Sequence, residues 1–201
     1  MMMRLSGLPR LALGIAFGFL AAGVAAAQQA APPAAAAVAK PAAAEPAAQG
    51  QREARKIRFG DWKKVCFKPG GAKMICRIMI DGTFDTGQDA LHIYLTEREG
   101  DSTARLQLFL PVGLNVRAGV KLIVDKGTAY KVPFTFCLTN TCIAGDVANP
   151  ALLHDLETGE SLTIEVVDTN MLAVATSIPL GQFAAVRKGA PAELLEQKIV
   201  E

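Results

Sequence analysis

Four cysteines, Cys66, Cys76, Cys137 and Cys142, are the residues of this 201-residue chain best able to do chemistry. A thiol acts as a nucleophile or metal ligand in its thiolate form, and two thiols can instead oxidise to a crosslink. Nine residues lie within the first pair and four within the second, a departure from the close pairs usual for structural zinc. Thiol oxidoreductases place Cys-x-x-Cys at a helix start, whereas Cys137-Leu-Thr-Asn-Thr-Cys142 follows a strand-like run. The cysteines therefore read as structural clamps. Three pairings are open to them, and proximity favours Cys66 with Cys76 and Cys137 with Cys142. Loops this short are each worth roughly 2–3 kcal/mol on the chain-entropy model.

The other candidates are weaker. His92 and His154 are too far apart in sequence to suggest a metal cage. Asp81, Asp85 and Asp89 share a Gly-containing segment and invite a calcium reading, but the EF-hand register and its terminal Glu are missing, so a solvated connecting loop is expected. Ser102, Ser161 and Ser177 lack a Gly-x-Ser-x-Gly context, and neither a phosphate loop nor a dinucleotide fingerprint occurs. No catalytic residue, no metal and no cofactor is assigned, and the chain is not expected to be an enzyme.

The disulfide reading depends on compartment. Met1 to Arg10 carries Arg4 and Arg10 without an acid, Leu11 to Val24 is apolar, and Ala25-Ala26-Ala27 offers small residues. Those are the three regions of a secretory signal over residues 1–27, with cleavage expected between Ala27 and Gln28. An uncleaved signal would leave the same domain outside, tethered to the membrane. The absence of a cysteine after the apolar run argues against a lipid-modified N-terminus, and no spanning segment remains after cleavage. Export places the cysteines where disulfides persist.

Residues 28–56 open as an Ala/Pro/Gln run that cannot form a core, and are expected to be a disordered linker. From 57 to 190 short apolar alternations are punctuated by turns, as in a half-buried antiparallel sheet. Met74, Cys76, Ile78 and Ile80 share one parity; Leu91, Ile93 and Leu95 another set; Leu106, Leu108 and Leu110 a third. Val120–Val124 and Tyr130–Phe136 flank Asp125-Lys126-Gly127, a hairpin in which Gly127 is available for a positive φ. Pro133 cannot donate to a ladder, so its strand belongs at an edge or a bulge. Leu162–Val166 and Leu172–Ile178 form a second hairpin around Asp168-Thr169-Asn170. One short helix is expected at Asn149–Leu156, with Asn149 as cap, Pro150 first in the helix and Gly159 beyond its end. Residues 191–201 form a tail, with helical propensity over Ala192–Val200. Roughly eight strands and little helix predict an all-β sandwich.

Removing the signal leaves a formally neutral chain, so global charge points to no nucleic acid. Its distribution is uneven: Arg52 to Arg77 holds nine basic residues and two acids, and Ile78 to Glu201 nine and sixteen. Either these charges interleave once folded, or Lys63, Lys64, Lys68, Lys73 and Arg77 form a basic face for anionic cell-surface material. Trp62, beside them, is an interface anchor if exposed and core if buried; core is the stronger expectation.

Phe59-Gly60-Asp61-Trp62 leading to Cys66 and Cys76, then Leu110-Pro111-Val112-Gly113-Leu114, Gly119-Val120-Lys121-Leu122 with Asp125, then Cys137 and Cys142, and Leu180-Gly181-Gln182-Phe183 follow in order. Over about Arg58 to Val186 this resembles the invasion-associated locus B family of exported bacterial proteins. Gln182 departs from the pattern, where relatives tend to run Gly directly into Phe. The resemblance implies a Gram-negative source, an immunoglobulin-like β-sandwich, a periplasmic or outer-surface location and no enzyme activity. The expected function is a non-catalytic binding module whose partner is a protein or envelope component. The rival expectations are a periplasmic chaperone or assembly factor adding a client strand near Pro133, and a redox factor using Cys137 and Cys142.

Overall fold

Strand alternation turns successive side chains to opposite faces, and the fold follows that pattern from Ile57 onward. A computed structural model describes residues 47–197. The signal segment, its expected cleavage at Ala27–Gln28 and the linker up to residue 46 lie outside the described residues, as do residues 198–201. In chain order the elements are β1 (Gly50–Gln51), β2 (Ile57–Phe59), β3 (Lys63–Lys68), β4 (Ile75–Phe84), β5 (Asp89–Arg98), β6 (Ala104–Pro111), β7 (Val120–Val124), β8 (Ala129–Val132), β9 (Phe134–Cys137) and β10 (Thr141–Ala148). Then come α1 (Pro150–Thr158), β11 (Ser161–Val167), β12 (Leu172–Pro179), α2 (Phe183–Lys188) and β13 (Glu193–Glu196).

They form a sandwich of a five-stranded sheet, β1-β12-β11-β7-β8, and an eight-stranded sheet, β13-β3-β4-β5-β6-β10-β9, with β2 beside β4. The inner faces meet through Ile78, Ile93, Leu95 and Leu108 on one side and Val120, Leu122, Ile164 and Ile178 on the other, all at most 2% exposed. Each such side chain contributes about 1.5–3 kcal/mol on burial. Gly82 is required at the β2 crossing, because a Cβ there would sit 2.8 Å from Ile57 Cγ2 and 2.9 Å from the Phe59 ring. Among the described residues no helix is long and apolar enough to cross a membrane.

The expected helix forms at α1, where Asn149 Oδ1 accepts the Leu152 N–H at 2.9 Å and Leu152, Leu153 and Leu156 are buried. Several other expectations change. The sheets are not wholly antiparallel, since β1 pairs parallel with β12 and β13 parallel with β3. Residues 50–51, assigned to the linker, thus join a sheet, with Gln49 N–H donating to Met171 O at 2.7 Å and Arg52 N–H to Ala173 O at 2.8 Å. The tail forms a strand over Glu193–Glu196 rather than a helix: so short a helix is marginal alone, while the open edge of β3 accepts the Ala192 N–H at 2.8 Å through Lys64 O.

A second helix, α2, has no side-chain cap at its start, and the sequence marks only its end, where Arg187, Lys188 and Gly189 form a stop signal; tertiary contacts hold the rest. Phe183 is buried, and the Arg187 guanidinium joins Glu97 of β5 at 2.6 Å and Glu157 of α1 at 2.5 Å. Glu157 also meets Lys188 at 2.8 Å. Burial alone would raise the Glu157 carboxyl, but its hydrogen bonds from Lys188 and Arg187 outweigh this and hold it below its ordinary value of 4.5. A depressed folded-state value gives stability that is complete above the unfolded value and lost as pH falls through the folded one. The thermal unfolding temperature is therefore expected to drop on acidification below about pH 4.5, and less in Glu157→Gln. An equal acid drop in that variant would remove this cluster as a contributor.

The expected strand Tyr130–Phe136 is broken at Pro133, which carries the chain from β8, an edge of the small sheet, to β9, an edge of the large one. At the preceding hairpin Asp125, not Gly127, takes the positive φ, 51°. Aspartate tolerates that region, and its carboxylate accepts the backbone N–H groups of Ser161 at 2.9 Å and Glu160 at 3.1 Å. These bonds hold the Asp125 carboxyl below its ordinary value.

Candidate functional site

Cys66 and Cys76 are direct register partners on β3 and β4, and Cys137 and Cys142 on β9 and β10. Their S–S distances are 2.01 and 2.02 Å. Cys66, Cys76 and Cys142 are buried, whereas Cys137 is exposed at the hairpin rim.

The acidic segment divides. Asp81 lies within β4 and holds His92 Nδ1 at 2.7 Å, with Asp89 3.9 Å from His92 Nε2, while Asp85 pairs with Arg58 at 3.2 Å. Among the described residues no cluster of three or more His, Cys, Asp or Glu is arranged to hold a metal ion. His154 is exposed on α1, and Ser161 Oγ lies 3.2 Å from Asp125 Oδ1.

The basic segment separates as well. Lys64 is not part of an open face: its Nζ donates to Arg187 O at 2.7 Å and Gly189 O at 2.9 Å. A cation there satisfies carbonyls at the negative end of α2. Lys68 is in register with Glu196 on β13, and Lys73 lies in the β3–β4 turn. Lys63 and Arg77 alternate onto the outer face of the large sheet, because their neighbours Ile78 and Ile80 point into the core.

That outer face gathers residues from distant strands. Arg77, Thr96, Arg105 and Val147 are successive cross-strand partners over β4, β5, β6 and β10. The Arg77 guanidinium lies 5.0 Å over the Tyr94 ring, and Tyr94 meets Phe109 in a tilted contact with ring centroids 4.9 Å apart. Phe109 is paired through Ile143 to Phe136, which is 53% exposed. Burial, with Asp81 and Asp89 adding to it against the pull of Arg77, raises the Tyr94 phenol above its ordinary value, so it stays neutral at physiological pH. Thr96 Oγ1, between the two arginines, is buried without a hydrogen-bond partner. Sequence reasoning reached Lys63 and Arg77 but missed Tyr94, Arg105, Phe109 and Phe136, whose proximity is set by pairings across β5, β6, β10 and β9.

The motif Phe59-Gly60-Asp61-Trp62 is built into the fold. Gly60 N–H donates to Asp81 O at 3.0 Å, Asp61 accepts from Gln182 Nε2 at 3.2 Å, and the Trp62 indole N–H donates to Pro179 O at 2.8 Å. Trp62 is 5% exposed, so it is core rather than an interface anchor.

Residues 62–191 match the family model described as invasion associated locus B (IalB) protein. The chain belongs to the invasion associated locus B family. The matched span begins at Trp62 and takes in both cysteine pairs of this family member. Its structure is similar to the crystal structure of invasion associated protein B from Bartonella henselae, with 19% identity and a TM-score of 0.57, covering 65% of this chain and 90% of that one. At that identity the likeness concerns the fold. No curated protein matches the chain.

Proposed function

We propose that this IalB-family protein is an exported, non-catalytic interaction module that contacts a partner through the outer face of its large sheet. The carrying observation is the cluster of Arg77 on Tyr94, Phe109 and exposed Phe136, with Lys63 and Arg105 alongside. Aromatics and arginine on one rigid face are what interfaces favour. Export is supported by the basic, apolar and small-residue sequence at the N-terminus and by two disulfides; periplasm or outer surface is the corresponding location. The basic residues fit an anionic envelope component.

The test is in-place crosslinking from a photoreactive residue at position 77, set against one on the outer face of the small sheet. Crosslinks are expected from the first position only. Binding to isolated anionic envelope fractions should weaken with salt, and Arg77→Glu with Arg105→Glu should abolish it. Salt-independent binding, or full binding by that double variant, would sink the proposal.

A strand-adding assembly role is the second reading, favoured by β9, a sheet edge that exposes Phe136 and is followed by exposed Leu138. For the redox reading the deciding quantity is the reduction potential of Cys137–Cys142. As a clamp it should lie below about −300 mV, and a much higher value would revive a redox role.

A further inference from the structure

Independently of the outer face, the two sheets part at one end around a cleft of about 300 Å³. This is the low end of the roughly 300–1,000 Å³ range of small-molecule sites. Its walls are inner-face side chains: Leu91 and Leu110 from the large sheet, Ile164, Val166 and Val174 from the small one. Along β11 and β12 the register pairs Leu162 with Ile178, Ile164 with Thr176 and Val166 with Val174. Leu162 and Ile178 are buried at 2% and 0%, yet Val166, Val174 and Thr176 on the same face remain half-buried. The core therefore continues into an apolar surface that neither sheet covers.

The chain between β1 and β2 crosses from the small sheet to the large one over this cleft and contributes Arg52, Ala54 and Arg55 to its lining, with Ile57 at the start of β2. Arg52 N–H is tied to Ala173 O, and its Nε lies 3.1 Å from buried Asp168. Arg55 differs. Its guanidinium sits 5.8 Å over the Phe84 ring, and among the described residues no carboxylate pairs with it. Among the described residues no Asp or Glu lines the cleft. The crossing segment 53–56 belongs to no strand and runs between β1 and β2.

The geometry points to a binding site for a single free acyl chain ending in a carboxylate, its tail between the sheets and its headgroup at Arg55. The apolar walls gain from burying methylenes. A carboxylate brought to this edge needs a cationic donor to offset its desolvation, and Arg55 has its fork available. The apolar walls fall within the family-matched span of residues 62–191, but both arginines precede it, so headgroup recognition comes from a segment outside that match.

The test is titration of the purified chain, carrying ¹³C-labelled methyl groups, with monomeric sodium dodecanoate, with dodecanol, and with phosphatidylglycerol vesicles. Dodecanoate should shift the Leu91, Val166 and Val174 methyls saturably, with dodecanol about tenfold weaker for want of the charged hydrogen bond. Arg55→Ala should erase that difference while leaving dodecanol binding unchanged, and Val174→Trp should remove both. Unshifted cleft methyls, equal affinity for acid and alcohol, or a response to vesicles alone would each overturn the site.

Discussion

Replacing Cys66 and Cys76 together by alanine is expected to cost about 2–5 kcal/mol, with Cys137 and Cys142 costing less. Loop entropy does not separate the pairs, since the closed loops span sequence separations of 10 and 5, and both are worth roughly 2–3 kcal/mol. Burial does. Cys66 and Cys76 are 0% and 8% exposed, so their loss also leaves a packing defect in the core, whereas Cys137 lies exposed on the hairpin rim. The first bridge also holds β3, to which β13 pairs and from which Lys64 reaches the end of α2. Denaturant unfolding of the two double variants measures the difference. Equal losses, or a loss at Cys66/Cys76 below about 1 kcal/mol, would show that this bridge carries no more than its loop entropy.

The features legible in the sequence are those decided within a few residues. Asn149 and Pro150 start α1 through one turn of backbone, and the alternation of Leu106, Leu108 and Leu110 fixes an inner face whatever strand lies beside it. The missed features depend on edges supplied from far away. Nothing in Gly50-Gln51 calls for a strand until β12 offers its edge, and Glu193–Glu196 would be a frayed helix without β3. Likewise α2 is held by contacts from far away, Phe183 against Trp62 and Arg187 on Glu97 and Glu157, residues from β5 and α1. The candidate face followed the same rule. Its charges were readable as a run, but three of the five basic residues left it on folding: Lys64 as a helix-end donor, Lys68 opposite Glu196 and Lys73 in a turn. Arg105 and the aromatics replaced them through cross-strand register. The inter-sheet cleft had no sequence signature, because half-buried Val174 and fully buried Ile178 belong to the same alternation.

Trp62→Ala should be the most damaging single substitution, at about 3–5 kcal/mol for the lost aromatic core, with the Pro179 carbonyl left to find another donor. The indole and the Phe183 ring meet edge-to-face with centroids 4.9 Å apart, while the indole N–H holds the end of β12. One side chain thus joins the start of β3, the end of β12 and the first residue of α2. Trp62→Phe keeps much of the buried area but not the donor, so it should lose less, with the N–H accounting for about 1 kcal/mol of its cost. Trp62 is the chain's single tryptophan, so its fluorescence reports this site alone. Emission should be blue-shifted and poorly quenched by acrylamide in the folded protein. Hydrogen exchange at Val186 and Gly189 should accelerate first in Trp62→Ala, because α2 has no side-chain cap at its N-terminus and its first residue, Phe183, packs on the indole. Efficient quenching of the wild-type indole would return Trp62 to the surface and make it an interface anchor after all. Unchanged exchange in α2 would mean that the Arg187 cluster alone secures the helix.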